Sequence, residues 1–465
     1  MNNTLNIVVK NKPELDPNFI PAVLWNRAYQ NMVKECPEVE ELKIALHRSN
    51  GYISSYSTKV LPAENNPNLT TKYVERLIKY LLWMKGGYKV TIAGNPQIAK
   101  KIAQIYSPGG DREFDCKIMG EKIYGKKFEV VSCSLADAPE TDEGTIELGG
   151  NMDGCRIGFD LGGSDRKCAV LQDGKVVFSE EIEWDPYFES DPEYHRKGIK
   201  DTLKRAAEKL PRVDSIGGSA AGVYVDNKVR VASLFRGVSE DDFKKYVENI
   251  FLELAEEWDV PFVVVNDGEV TALAGSMEMK DTAVLGISMG TSFAAGYVNT
   301  DGNITDWLNE LAFVPVDYRK DAPLDEWSED EGCGVQYFSQ QAVARLAPIA
   351  GIEFDEAMPF PERLIEIQKL MENGDKRATK IYSTIGTYLA YTIAHFSDFY
   401  EIRNLLILGR VTSGEGGNII LSKAAEILED EFPALAKKIT FRTPDEKSKR
   451  HGQAAAAASL PSLSS

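Results

Sequence analysis

The sequence predicts an α/β protein, and three observations carry that prediction. Short apolar runs alternate with amphipathic segments long enough to be helices. Glycines and acids fall where the apolar runs end, which is where open α/β sheets place ligands. The chain has 465 residues and is 43% hydrophobic, enough for ordinary cores and for about three domains at roughly 100–200 residues each.

The first 150 residues read as a mixed α/β unit of unassigned role. Residues 21–34 suit a helix. Residues 41–46 and 52–57 read as strands on either side of the turn Ser49-Asn50-Gly51. Residues 71–85 place Val74, Leu77, Ile78 and Leu81 on one helical face, and Gly86-Gly87 stops that helix. A strand at 88–93 and a helix at 95–106 follow. The acidic, small-residue segment 136–154 reads as the linker.

The next run, Arg156-Ile-Gly-Phe-Asp-Leu-Gly-Gly-Ser-Asp165, reads as a strand that delivers Asp160 into a glycine turn. A second strand begins at Lys167, and Asp173-Gly174 supplies its turn. Helices at 199–210 and 240–258 each lead into a strand. The first of these is Ile216-Gly-Gly-Ser-Ala-Ala-Gly222. The second, at 260–265, ends in Asn266 and Asp267. The strand at 282–288 runs into Gly290-Thr291-Ser292. A long helical stretch, 375–400, precedes the strand 404–408, after which come Gly409 and the run Thr412 to Gly417. No internal repeat of fixed period is present.

Several function classes are excluded or disfavoured. A net charge of −18 opposes a general nucleic-acid surface. No apolar run approaches spanning length; Tyr80-Leu-Leu-Trp-Met84 is too short. The start shows no basic segment followed by an apolar one, so no secretory signal is expected. The six cysteines, scattered without paired spacing, fit a reducing cytoplasm better than a disulfide framework. His47, His195, His395 and His451 have no metal-like spacing, and lysines between 117 and 127 read as a solvated face.

What the pattern favours is phosphate chemistry without a P-loop, since Gly-x-x-x-x-Gly-Lys-Ser/Thr is absent. Glycine turns let a backbone approach an anion with its N–H groups free. Gly162, Gly163, Gly290 and Thr291 are the candidate donors. Asp160 is the candidate Mg²⁺ holder, mainly through water, or else an Asx-turn residue. Asp267 is the candidate general base; Asn266 and Asp267 are equally good helix N-caps.

In order and kind these segments resemble the sugar-kinase/Hsp70/actin superfamily, and within it the ROK family of sugar kinases and repressors. Asp160 to Ser164 resembles the first phosphate motif, Met289 to Ser292 the second, and Leu408-Gly409 with Thr412 to Gly417 the adenosine motif. Asn266-Asp267 resembles the catalytic segment, Gly452 to Ser459 the last helix. The resemblance implies two ribonuclease-H-like lobes around a cleft, at 154–285 and 286–465. It implies ATP and Mg²⁺ as cofactors, with Asp160, Gly162, Gly163, Ser164, Gly290, Thr291, Ser292, Gly409 and Gly414 on the nucleotide side. Asn266, Glu310 and Gly222 would contact a sugar, and Asp267 would be the base. The expected partners are ATP and a small-molecule sugar, with no nucleic acid and no membrane, and a homodimer as the candidate assembly.

The chain departs from the family in its substrate segments. The usual Glu-x-Gly-His is matched by Glu310 to Phe313, so the histidine is lost. Of the usual zinc segment only Cys333 stands, with Glu331 to Ser339 resembling its end; one thiolate cannot build a structural zinc site, and no zinc is expected. Ser292 and Phe293 add side chains to a loop that is often Gly-Thr-Gly-Ile-Gly, and Ser164 replaces a threonine. The alternative reading is a non-catalytic sugar sensor or regulator.

Overall fold

The structure is a computed structural model that describes residues 5–62, 64–144, 148–443 and 452–463; His451 lies outside them. The N-terminal unit holds a four-stranded sheet of order β2-β1-β3-β4. Its strands are β1 (Glu40–His47), β2 (Ile53–Val60), β3 (Lys89–Ala93) and β4 (Glu129–Cys133). The β1–β2 hairpin turns at Ser49–Gly51, where Asn50 and Gly51 both take positive φ. The helix Pro67–Lys85 starts four residues before the predicted one. It is buried nearly all round, which its narrow apolar stripe does not announce.

The first lobe is a five-stranded sheet of order β11-β8-β5-β6-β7. It comprises β5 (Cys155–Leu161), β6 (Asp165–Gln172), β7 (Lys175–Glu183), β8 (Ser215–Ala220) and β11 (Phe262–Asn266). Between β8 and β11 the small hairpin β9 (Val223–Val225) and β10 (Lys228–Val231) stands off the sheet. β5 pairs antiparallel with β6 and parallel with β8. The second lobe repeats this plan with β12 (Val284–Met289), β13 (Phe293–Val298), β14 (Asn404–Leu408) and β15 (Thr440–Arg442). β12 pairs antiparallel with β13 and parallel with β14. Ile304 keeps only isolated bridges, to Val298 and Leu148, where the first lobe has a full third strand.

Two predicted helices are corrected. The helix placed at 199–210 runs Pro192–Ala207, because Asp191 caps it through Glu193 N–H and Pro192 sits at its first position. The helix placed at 240–258 is interrupted: Glu248 N–H reaches back five residues to Phe243, and a separate helix Ile250–Trp258 follows.

Chain order and spatial order differ at three places. The helix Asp267–Met279 packs on the second sheet, with Gly275 against Leu406 and Gly286 against Ala272. The expected boundary at 285/286 falls inside β12. The helix Gly452–Ala458 returns to the first sheet. A Cβ on Gly158 would lie 1.8 Å from the Ala454 carbonyl oxygen, and one on Gly217 1.7 Å from that of Ala457. The run of alanines in this helix, over a glycine-bearing sheet, allows that approach. Finally, the N-terminal unit is no separate body. One apolar core runs from Leu77 and Ile78 through Ile287 to Tyr388, while the first lobe has its own core around Phe159 and Phe251.

Candidate active site

Asp160 is the sixth residue of β5, and the pleat and the glycine turn leave it at the sheet's end, 7% exposed. Its Oδ1 accepts from the Ser219 hydroxyl at 2.7 Å, and its Oδ2 lies 3.9 Å from the Lys167 ammonium. Burial pushes the Asp160 carboxyl up to about 6; Ser219 and Lys167 oppose the rise and the charge of Asp267 adds to it.

Asn266 ends β11 and caps the helix Asp267–Met279. Its Oδ1 accepts from Gly268 N–H at 2.7 Å, and its Nδ2 donates to the Gly222 carbonyl at 2.7 Å. The capping role thus goes to Asn266, and Asp267 as first helical residue is left with its carboxylate at the dipole's positive end. Burial nevertheless raises the Asp267 carboxyl above its usual range. Gln453, from the returning helix, donates to Ser219 Oγ at 3.2 Å and to the Asp267 carbonyl at 3.1 Å.

Glu310, like Asp160, lies close enough to Asp267 to feel its charge. Burial raises Glu310 to about 7, with the Asp267 charge as the second cause. Its backbone is held from the N-terminal unit: Asn309 N–H donates to Met84 O at 2.8 Å, and Glu310 N–H to Trp83 O at 3.0 Å. Behind it, the Asn309 side chain donates to Glu269 and accepts from Tyr400 OH at 2.6 Å. Burial pushes Glu269 up to about 8, although Asn309 and Tyr297 N–H bond to it.

Sequence reasoning did not single out Ser219, Glu269, Gln453 or the carbonyls of Trp83 and Met84. Ser219 and Gln453 stood inside quoted motifs; nothing in the sequence marks a helix C-terminus as the clamp on Glu310.

The phosphate-type loops are mixed. A Cβ on Gly290 would meet only the Ser292 carbonyl oxygen, at 3.8 Å, but the Gly290 N–H is spent on that same oxygen at 2.9 Å and is not the free donor expected; Thr291 and Ser292 are exposed. Phe293 does not crowd that loop, because its ring turns inward to Phe338 at 5.2 Å. Gly162 N–H is spent on Asp165 O, and Ser164 Oγ on Asp165 Oδ2. The Cβ side of Gly163 is filled by the Tyr187 ring. Gly409 has φ +101° and presses on the Met289 carbonyl, so this glycine is required by the contact between β12 and β14. Gly414, with φ +66°, faces open space, whereas Gly416 and Gly417 pack inward on Tyr382 and Thr412.

Among the described residues no group of three His, Cys, Asp or Glu side chains is arranged to hold a metal. Asp160 offers a hard carboxylate with spare lone pairs at a strand end, the donor type Mg²⁺ takes alongside water and phosphate oxygens. The neighbourhood of Cys333 is occupied instead by protein cations. Lys79 Nζ lies 2.6 Å from Asp330 Oδ2, and Arg76 and Arg112 pair with the same carboxylate. Against the cost of burial, these three cations hold Asp330 well below the usual carboxylate range. Phe313 stands in an aromatic cluster, 4.3 Å from Trp83 and 5.2 Å from Trp327. His395 is buried among Tyr80 and Phe399 and is kept neutral, its pKa pushed down to about 3 by burial.

Comparison with known proteins follows this geometry. The ROK hexokinase of Thermus thermophilus superposes with a TM-score of 0.52 at 17% identity, over 66% of this chain and 97% of that one. A ROK family transcriptional regulator, a homolog of the E. coli MLC protein, gives a TM-score of 0.50 at 18% identity, over 66% and 78%. At these identities the likeness shows the two-lobed actin-like fold. No curated protein matches the sequence. The model of the ROK family matches residues 156–459, and the chain therefore belongs to the ROK family.

Proposed function

We propose that the protein transfers the γ-phosphoryl group of ATP to a hydroxyl of a sugar or sugar derivative. The observation that carries this reading is the placement of Asp160 and Glu310 within reach of the charge of Asp267, all three with a raised carboxyl pKa. Perturbed acids in a cleft are candidates for proton chemistry. In the proposed step the acceptor oxygen bonds to the γ-phosphorus, the bond to the ADP oxygen breaks, and the hydroxyl proton passes to Asp267. A base whose pKa is lifted toward neutrality suits this role better than an ordinary aspartate.

The other roles follow from position. Asn266, Glu310 and Gly222 would hold the sugar. The Gly290 loop, through the exposed Thr291 and Ser292, would face phosphates together with the turn Gly162 to Ser164. Gly409 and Gly414 would border the adenosine. Asp160 would hold Mg²⁺ through water, and the ion, when bound, neutralises charge on the phosphates. ATP and sugar are the proposed partners and the cytoplasm the proposed compartment. A net charge of −18 speaks against nucleic acid.

A second reading has its own support. Phe313 stands where the family usually has a sugar-contacting histidine, and the fold is shared with a transcriptional regulator. On that reading the chain binds sugar without phosphorylating it. ATP turnover over a panel of sugars, wild type against Asp267→Asn, decides. The kinase reading expects a loss of about 10²–10⁴ in turnover with sugar binding kept. Tight sugar binding with no transfer in the wild type would leave the sensor reading standing.

A further inference from the structure

Glu310 stands in a segment with little regular structure. Asn309 before it has φ +48°, and only the short 3₁₀ turn Leu311–Phe313 follows, with Phe313 N–H donating to the Glu310 carbonyl at 3.2 Å. A carboxyl on such a segment keeps its place through the groups that brace the segment from outside. Two of those braces come from one residue of the N-terminal unit, Trp83. Its carbonyl belongs to the last turn of the helix Pro67–Lys85, where carbonyls lack partners within the helix, and it accepts from Glu310 N–H at 3.0 Å. Its ring lies 4.3 Å from the Phe313 ring, at the other end of the same turn.

Trp83 is itself fixed. Its indole N–H donates to Asp115 Oδ1 at 2.5 Å. Lys79, one turn earlier on the same helix, places its ammonium 3.3 Å from that oxygen and 2.6 Å from Asp330. Trp83, Asp115 and Lys79 are all buried. A buried carboxylate that accepts from the indole and faces an ammonium holds the ring in one orientation, because turning it would leave that acceptor short of a donor. Phe313 is held from its other side by Trp327 at 5.2 Å. The residue at the family's histidine position thus spends its ring on anchoring.

We propose that Trp83 is a positioning residue for Glu310: with its carbonyl and its ring the N-terminal unit sets where the Glu310 carboxyl stands, and the two lobes alone do not make a working sugar site. The proposal rests on the sugar-kinase reading for what Glu310 holds, but not for where Glu310 stands. It gives the first 150 residues a part in recognition. In a working site a misplacement of about 1 Å can cost roughly a hundredfold, so the brace is open to measurement.

A double-mutant cycle on the full chain tests it. Trp83→Leu removes the ring and the indole donor, Phe313→Leu removes the facing ring, and each is combined with Glu310→Gln. Glucose, mannose, galactose and N-acetylglucosamine are titrated by calorimetry. For the sugar bound tightest, each variant should weaken binding at least about tenfold where Glu310 is present, and less than about twofold in the Glu310→Gln background. Trp83→Phe, which keeps a ring against Phe313, should recover most of the affinity. Glu310 is also followed without sugar, by carbon-13 NMR of carboxyl-labelled glutamates, its resonance identified by its loss in Glu310→Gln. It should titrate near pH 7 in the wild type and at least about one unit lower in Trp83→Leu, toward an ordinary glutamate. Equal weakening in both backgrounds, or an unmoved Glu310 titration, overturns the proposal. Phe313→Leu carries both measurements if Trp83→Leu fails to fold. If none of the four sugars binds the wild type, the sugar reading falls for them and the Glu310 titration alone decides the positioning.

Discussion

Glu269 is a carboxyl that the fold keeps uncharged, and its titration is open to measurement. With a folded pKa of about 8 the native chain retains a proton that the unfolded chain gives up at lower pH. Stability is therefore fully present at the acid end, falls as pH rises toward about 8 and is level beyond it. For one such group the fall is at most on the order of 1 kcal/mol per pH unit. Urea unfolding of the wild type near pH 5, 6.5 and 8 should show the decline, and Glu269→Gln should flatten part of it. Parallel slopes in the two proteins would remove the premise. Asp160 and Glu310, raised to about 6 and about 7, add to the same slope at lower pH. At this scale the sequence was informative where a residue ends a strand. Asn266 and Asp267 were visible, but which of them caps the helix was not, since both side chains fit that role until Gly222 claims the other end of the Asn266 amide. Glu269 was illegible, because a glutamate one turn into a helix reads as solvated.

Elements were legible when their period and caps were local. Strands β5, β12 and β14 and the long helix Lys376–Phe396 lie close to where the apolar runs place them. The missed elements are those set by distant partners. The Pro67–Lys85 helix carries Glu75, Arg76 and Lys79 inward, which no amphipathic pattern suggests, because Asp330 and Arg112 meet them from elsewhere in the chain. Lys79 is fully buried between Asp330 and Asp115. Lys79→Met should cost about 3–5 kcal/mol, since it strands buried carboxylates, as read by guanidinium unfolding; a change below about 1 kcal/mol would mean that water already reaches the network. The Gly452–Ala458 helix supplies a second test. Gly217→Ala puts a methyl onto the Ala457 carbonyl, so a loss of about 1–3 kcal/mol is expected. The same change should loosen Gln453 from Ser219 and from the Asp267 carbonyl, and under the proposed function it should weaken sugar binding, measurable by calorimetry.

The whole molecule is divided otherwise than its sequence suggests. The duplication of the lobes, invisible in residues, is plain in strand order, and the first 150 residues share a core with the second lobe. A chain beginning at Gly154 would uncover Phe313, which loses Trp83, and Tyr388, which loses Phe19. It should therefore aggregate or lose cooperative unfolding by circular dichroism; a soluble, cooperatively melting fragment would show that the shared core is dispensable. The returning alanine helix has a further effect, on biosynthesis. The sheet built from residues 155–266 stays uncovered on one face until residue 458 has left the ribosome. A nascent chain thus keeps that face bare while residues 267–457 are made, and a closure over so long a stretch folds slowly and favours chaperone protection.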